Sequence, residues 1–364
     1  MQLSDIASIR LNSQQLLESN HQSPTELVRW MGAVQAQDYA MVQWALGIRL
    51  NNSTNQQLIS DAINSGEIIR THVMRPTWHL ITADDIYWML ELTAPQIKSS
   101  LRSRHKQLGL SDKLVTKSHT IITQTIASKG QATRDELVEE LLKAGFERSD
   151  NRHAHLLILA ELDALICSGK SQGKKQTYAL LEERVPEKKL LARDEALAEL
   201  ADRYFTSHCP ATLKDFVWWS GLYVKDAKKA IELISNKLIT EALEDQTYYI
   251  HHSYKEVAQP ENEVHLLPAF DEFVISYKDR SASIAFEHHK KAISQNGIFW
   301  PIIMVNGQII GTWKRTIKQD KVEIATSFFN SASKQIRNAV EEKAHAFGNF
   351  MRKQTSVRHA QDKK

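Results

Sequence analysis

The strongest constraint on the fold is a block that occurs twice. Ala132-Thr133-Arg134-Asp135-Glu136-Leu137-Val138 opens an amphipathic helix, in which Thr133 has the chemistry of an N-cap and Glu136, three residues on, completes a capping box. A helix over 119–127 precedes it, and another starts near 149 with Ala154, Leu157, Ile158, Glu161, Leu162 and Leu165 at helical spacing. Residues 167–180 then read as a hairpin around Gly169 and Gly173. The same order returns over 194–250. A helix at 194–205 leads to Ala211-Thr212-Leu213-Lys214-Asp215 with Thr212 as N-cap, a further helix reaches Leu238 and Ile239, and a hairpin follows. Gln176-Thr177-Tyr178 in the first hairpin recurs as Gln246-Thr247-Tyr248 in the second. Small units that bury the same face need the same turn chemistry, so shared caps, helix order and strand tripeptide point to structural repetition.

A third, stretched copy lies upstream. Ser23-Pro24-Thr25-Glu26 is a capping box with Pro at the first helical position, and Leu27, Trp30, Met31 and Val34 give the buried stripe. Two extra helices, near 39–48 and 56–65, separate this opening from a hairpin over 67–82. Beyond Pro260 the pattern changes to strands at 265–277, 299–305, 308–316 and 322–328, with Asn306-Gly307 supplying a type I′ turn. A helix carrying Ile336, Val340, Phe347 and Met351 ends the pattern, and Trp300 and Trp313 are expected in the core. The expected fold is α+β but mainly α: three tandem winged-helix (helix-turn-helix) units, then a small β-rich domain and a C-terminal helix. The segments are 1–85, a basic linking helix at 86–115, then 116–186, 187–258, and a barrel-like 259–364.

At 364 residues several cores are affordable. Lys and Arg number 46 against 43 Asp and Glu, so the net charge of +3 does not by itself indicate nucleic acid, and any DNA footprint must be local. Two cysteines, Cys167 and Cys209, form no CxxC pair, which gives no basis for a disulfide framework or zinc ribbon and fits a reducing cytoplasm. Polar residues interrupt every apolar run well short of a membrane span, and no signal pattern opens the chain. The expected location is cytoplasmic and nucleoid-associated, for a monomer without cofactor or metal.

A three-helix unit with a hairpin wing lays one helix in the major groove while the wing grips the backbone. Arg148, Arg152, His153 and His155 at the start of a third helix, with Lys170, Lys174 and Lys175 on its wing, suit phosphate contacts. The helix from Pro95 carries Lys98, Arg102, Arg104, His105 and Lys106, which could track a strand; a solvated charged face is the plainer alternative for both groups. In the first unit, strand alternation over Thr71-His72-Val73-Met74-Arg75-Pro76-Thr77-Trp78-His79 puts Arg75, Thr77 and His79 on one face as DNA contacts, with Pro76 confining the strand to an edge or bulge.

Gln35-Ala36-Gln37-Asp38 follows the last apolar contact of the first capped helix. Residues two apart on a helix diverge by about 200°, so for both glutamines to address one site the helix must end or unwind between them. Polar capping is the alternative. Adjacent pairs His251-His252 and His288-His289 raise a metal-dependent hydrolase, but they lack the carboxylate-histidine spacing of a metal site.

Gly32-Ala33-Val34-Gln35-Ala36-Gln37-Asp38, Arg75-Pro76-Thr77-Trp78-His79, and Leu267-Pro268-Ala269-Phe270-Asp271-Glu272-Phe273 with Tyr277-Lys278-Asp279-Arg280 together resemble the AlkZ-like DNA glycosylases over nearly the whole chain. The resemblance implies tandem winged helices with a small β-domain forming a concave DNA-binding surface. It also implies removal of bulky or crosslinking N-alkylated purines from double-stranded DNA, and a catalytic Gln-x-Gln signature at Gln35 and Gln37. Arg75-Pro76-Thr77 departs from the family's Arg-Gly-Thr. Asp38 competes for the charged role beside Gln37. A non-catalytic winged-helix regulator or DNA-structure sensor is the rival function, and Asp271, Tyr277 and Arg280 read equally as DNA contacts or as a buried charged tie.

Overall fold

A computed structural model describes residues 2–50, 54–148, 150–173, 175–258 and 261–359 as a mixed α+β chain. The chain divides into two compact units, each assembled from separate stretches. The first comprises Met1–Ser60, Leu200–Trp219 and Ile234–Lys364, and the second Asp61–Glu199 and Ser220–Leu233.

The first unit is organised by a five-stranded sheet in the order Val264–Leu267, Ile302–Val305, Gln308–Ile317, Lys321–Phe328, Gln354–His359. Asn306 and Gly307, at φ 49° and 78°, make the tight turn between its second and third strands, as Asn-Gly requires. Ser333 caps the Lys334–Phe350 helix, accepting the Ile336 N–H. That helix buries Phe347 edge-on between Trp44 and Trp313, 5.2 Å from each. Both indoles donate into the sheet, Trp44 to Leu266 O (2.7 Å) and Trp313 to Leu267 O (2.8 Å), so burial leaves neither N–H unsatisfied. Leu11 and Leu16 join Leu267, Phe273, Ile302 and Met304 in the same core, tying the Leu3–Ser13 helix to it.

Three expectations change here. The strand expected over 265–277 stops at Leu267, because Pro268 offers no ladder N–H and Phe270 turns the chain at φ 58° into the short Glu272–Ile275 helix. Trp300, expected in the core, is 42 % exposed, whereas Trp313 is buried. A strand not foreseen, Gln354–His359, lies parallel to Lys321–Phe328.

The repeat has a structural basis, with one correction. In the second unit Ala132–Thr133 pairs with Thr177–Leu180, and Thr133 and Glu136 exchange capping bonds (Thr133 N to Glu136, 2.7 Å; Glu136 N to Thr133, 3.3 Å). In the first unit Ala211–Thr212 pairs with Gln246–His251, and Thr212 and Asp215 make the same exchange at 3.0 and 3.1 Å. Each lies in a three-stranded sheet with the cap-bearing strand on one edge. The tripeptides, however, are out of register: Thr133 faces Thr177, but Thr212 faces Tyr248. The caps are equivalent and the Gln-Thr-Tyr match is offset by one residue.

Candidate active site

Ser23 and Glu26 start the Pro24–Met31 helix with a reciprocal capping box, Glu26 N donating to Ser23 Oγ at 3.1 Å. The helix ends at Met31, four residues before Gln35. Gly32, at φ 75°, turns the chain, and an added Cβ there would meet Arg203 and Trp219 at 3.4 Å as well as carry an unfavourable backbone. Val34–Gln35 is then extended, and Asp38 begins the Tyr39–Gly47 helix. No helix therefore has to unwind between the glutamines: the extended pair ends at Gln35, and Gln37 lies in the bend that leads to Asp38. Gln35 and Ala36 are buried, while Gln37 is exposed.

Behind Gln35 stands a residue that the sequence did not single out as a site. Gln35 N–H donates to Glu272 Oε1 at 2.5 Å, the Ser276 hydroxyl donates to Oε2, and His208 Nε2 lies 3.6 Å from Oε2. Burial alone would raise the Glu272 pKa, but these partners outweigh it and hold the carboxyl down at about 2. Burial pulls the pKa of His208 down against the opposing pull of Glu272, and its ring stacks on Tyr204 at 4.9 Å. An ionised, fully enclosed carboxylate thus fixes the backbone at Gln35. Its one legible trace was its place in the Leu267–Phe273 motif.

The neighbouring Asp271 is a structural tie rather than a surface contact. Arg49 grips it in bidentate fashion at 2.7 and 2.9 Å, and spends its remaining donors on Gln14 O, Gln14 Oε1 and Ala45 O. Tyr277 is also buried, donating to His208 O (3.0 Å) beneath the Arg10 guanidinium. Arg280 is partly buried and donates to Val274 O at 2.8 Å. Asp38 accepts the Met41 N–H at 3.1 Å as an N-cap and lies 3.5 Å from Arg315, so its carboxylate already has two partners.

The other expected site residues belong to the second unit. Strands Ile68–His72 and Trp78–Thr82 pair antiparallel, with His72 opposite Trp78. Arg75, Pro76 and Thr77 therefore occupy the connecting loop, not a strand face, and Pro76 breaks no ladder there. The loop folds on itself, Arg75 N to Val73 O at 2.6 Å and Thr77 N to Arg75 O at 2.7 Å. His79 is fully buried with Nδ1 2.9 Å from Thr77 O, so it supports the loop instead of offering a surface contact. The loop is braced twice more: Thr93 Oγ1 accepts the Met74 N–H at 3.1 Å, and Gly221, at φ 70°, lies so close that a Cβ would sit 2.2 Å from Met74 O. Gln96 clamps that glycine segment through Gly221 O and the Tyr223 N–H.

Arg102 and Arg104 are exposed on the Ile86–Gln107 helix, with Arg104 donating to Asp150 O. Lys98 on the same helix is ion-paired with Asp163, an acid that its own segment did not reveal. Arg152 is half-buried, 3.8 Å from Glu147, and Lys175 is exposed, 3.7 Å from Asp135. Lys174 lies outside the described residues. Among the described residues no three His, Cys, Asp or Glu side chains gather as a metal site, and His251 instead pairs with Asp202 at 3.1 Å. No helix there is long and apolar enough to cross a membrane.

No curated protein matches the chain in sequence. In structure it is similar to the Streptomyces sahachiroi DNA glycosylase AlkZ, with a TM-score of 0.78 over 99% of this chain and 100% of that one, at 20% identity. The family described as DNA glycosylase AlkZ-like matches residues 28–350, which span the glutamine segment, the Arg75 loop and the Glu272 motif alike. The chain belongs to the AlkZ-like DNA glycosylase family.

Proposed function

We propose that this DNA-repair glycosylase hydrolyses the N-glycosidic bond of purines alkylated at N7 or N3, including bulky and crosslinking adducts, and that Gln35 and Gln37 orient the attacking water. Alkylation makes the base a cationic leaving group, so little acid catalysis is needed. The C1′–N bond breaks with its electron pair going to the base, water oxygen bonds to C1′, and its proton passes to solvent, leaving a free alkylated base and an abasic site. Two neutral amides can donate to and accept from that water without acting as strong bases, which favours labile cationic lesions over intact bases. No lysine stands in a sequence context that marks it as a Schiff-base nucleophile, so the reading is monofunctional hydrolysis, and the protein is taken to act as a monomer.

The observation that carries this reading is the extended Val34–Gln35 backbone pinned by Glu272, which frees the two amides from helical divergence. Asp38 is given a capping role, in keeping with its bonds to Met41 N and Arg315. The two units of short strand, capped helix, helix and hairpin are read as winged helices, and Arg75, Thr77, Arg102, Arg104, Arg152, Lys174 and Lys175 as phosphate contacts. The test is incubation with duplex containing N7-methylguanine or a nitrogen-mustard crosslink. Heat- or alkali-labile abasic sites are expected, and their absence, with tight binding to undamaged DNA, would favour the regulator.

A further inference from the structure

Phe286 is the most exposed large apolar side chain on the described surface, at 96 %. It stands at the head of a single turn, Phe286–His288, whose flanks are buried: Ile284 on one side and Ala292 on the other are part of the core around Leu267 and Phe273. The backbone below the ring is thus fixed, while the ring itself has no apolar cover. Leaving a phenyl group in water forgoes the gain of burying it, and a polar residue would serve the turn as well.

The surroundings are cationic and held in place. Lys278 and Arg280 lie over the Trp218 ring at 4.7 and 5.4 Å, and Trp218 is anchored by its N–H to Ile275 O at 2.7 Å. Lys291 packs over Phe329 at 5.2 Å, and Lys290 is exposed beside it. With Phe286 and His289, residues Lys278, Arg280 and Lys290 line an open concavity of about 520 Å³. Two acids share the patch. Asp279 accepts the Ser281 N–H at 2.8 Å, and Glu287 lies 3.8 Å from His288, so four cations face two partly engaged acids.

We infer that Phe286 is an apolar wedge that inserts between base pairs of duplex DNA, with Lys278, Arg280, Lys290 and Lys291 gripping the phosphates on either side. A projecting ring on a rigid base within a cationic rim is the combination that lets a protein unstack a step and kink the helix. A ring meant to meet another protein's core would be expected among further apolar neighbours, not lysines. The inference rests on the DNA-glycosylase reading only in taking duplex DNA as the partner; it needs no base release.

The test uses the full chain and a short duplex with a central tetrahydrofuran abasic site. Its ends carry a fluorescence-transfer pair, and 2-aminopurine is placed in turn at every other position. Wild type is expected to bend the duplex and raise 2-aminopurine emission at one step. Phe286→Ala should abolish both signals and weaken binding by no more than about tenfold, while Phe286→Leu retains part of them. Since the side chain is solvent-exposed, neither substitution threatens the fold. Binding with full unstacking in Phe286→Ala, or binding by wild type with no unstacking at any position, overturns the wedge and leaves the glycosylase reading standing. Failure of wild type to bind duplex at all overturns both.

Discussion

The backbone N–H of Gln35 donates to Glu272 Oε1 across 2.5 Å, joining segments 237 residues apart in the chain. Two stretches that resemble one family, far apart in the sequence, are thereby in direct contact. The carboxylate does not face solvent: it holds the strand from behind, with Ser276 and His208 completing its coordination.

Glu272→Gln keeps the size and an acceptor but loses the charge that makes this bond short. Base release should slow by about tenfold to a hundredfold through misplacement of Gln35, with duplex affinity unchanged. Single-turnover kinetics alongside equilibrium binding separate the two effects; an unchanged rate would remove Glu272 from the site.

Asp271→Ala should be far more damaging to stability than to any surface property. It strands the Arg49 guanidinium in the core, a loss of about 3–5 kcal/mol for breaking one side of a buried pair. Urea unfolding reads this directly, and Asp271→Ala with Arg49→Met should recover part of the loss.

Gly221→Ala tests the brace under the Arg75 loop. The added methyl would sit 2.2 Å from Met74 O on a φ 70° backbone, so the loop must shift. A destabilisation of about 1–3 kcal/mol is expected, together with weaker duplex binding. The check is whether binding falls at a temperature where the variant remains folded.

His265 sets an acid limit on stability. Burial, with Lys343 and Arg49 adding to it, pushes its pKa from 6.5 to about 3, and Glu263, 3.2 Å away, is shared with Lys343. The unfolded chain takes up this proton below 6.5 while the fold refuses it down to about 3. Stability is therefore full above 6.5 and falls as pH drops through that window, by about 2 kcal/mol on reaching about pH 5. Glu272 adds a loss of the same sign lower down, between 4.5 and about 2. His265→Gln should flatten the first part of this slope in urea titrations at several pH values.

What the sequence revealed follows from how local each signal was. The capping boxes at Ser23 and Thr133 and the N-cap at Thr212 are satisfied within three residues, so they were legible and the structure keeps them. The Asn306-Gly307 turn was readable for the same reason. The Gln-Thr-Tyr match misled because a strand's register is set by its partners, and one residue of slip leaves the tripeptide intact while moving it against the cap. Glu272 was out of reach. In sequence it is one of two adjacent acids, and only burial and the distant Gln35, His208 and Ser276 distinguish it from Asp271, whose charge Arg49 neutralises. The Arg75 loop was misread as strand because alternation continues through it, while its geometry is imposed by Thr93 and Gly221.

The proposed chemistry requires Gln35 and Gln37 to act together on one water. Single-turnover release of N7-methylguanine from duplex DNA, compared between wild type and Gln35→Ala with Gln37→Ala, tests it most directly. A rate lower by about a hundredfold or more is expected in the double variant, at unchanged duplex affinity and unfolding midpoint. Base release at the wild-type rate from that variant would contradict it.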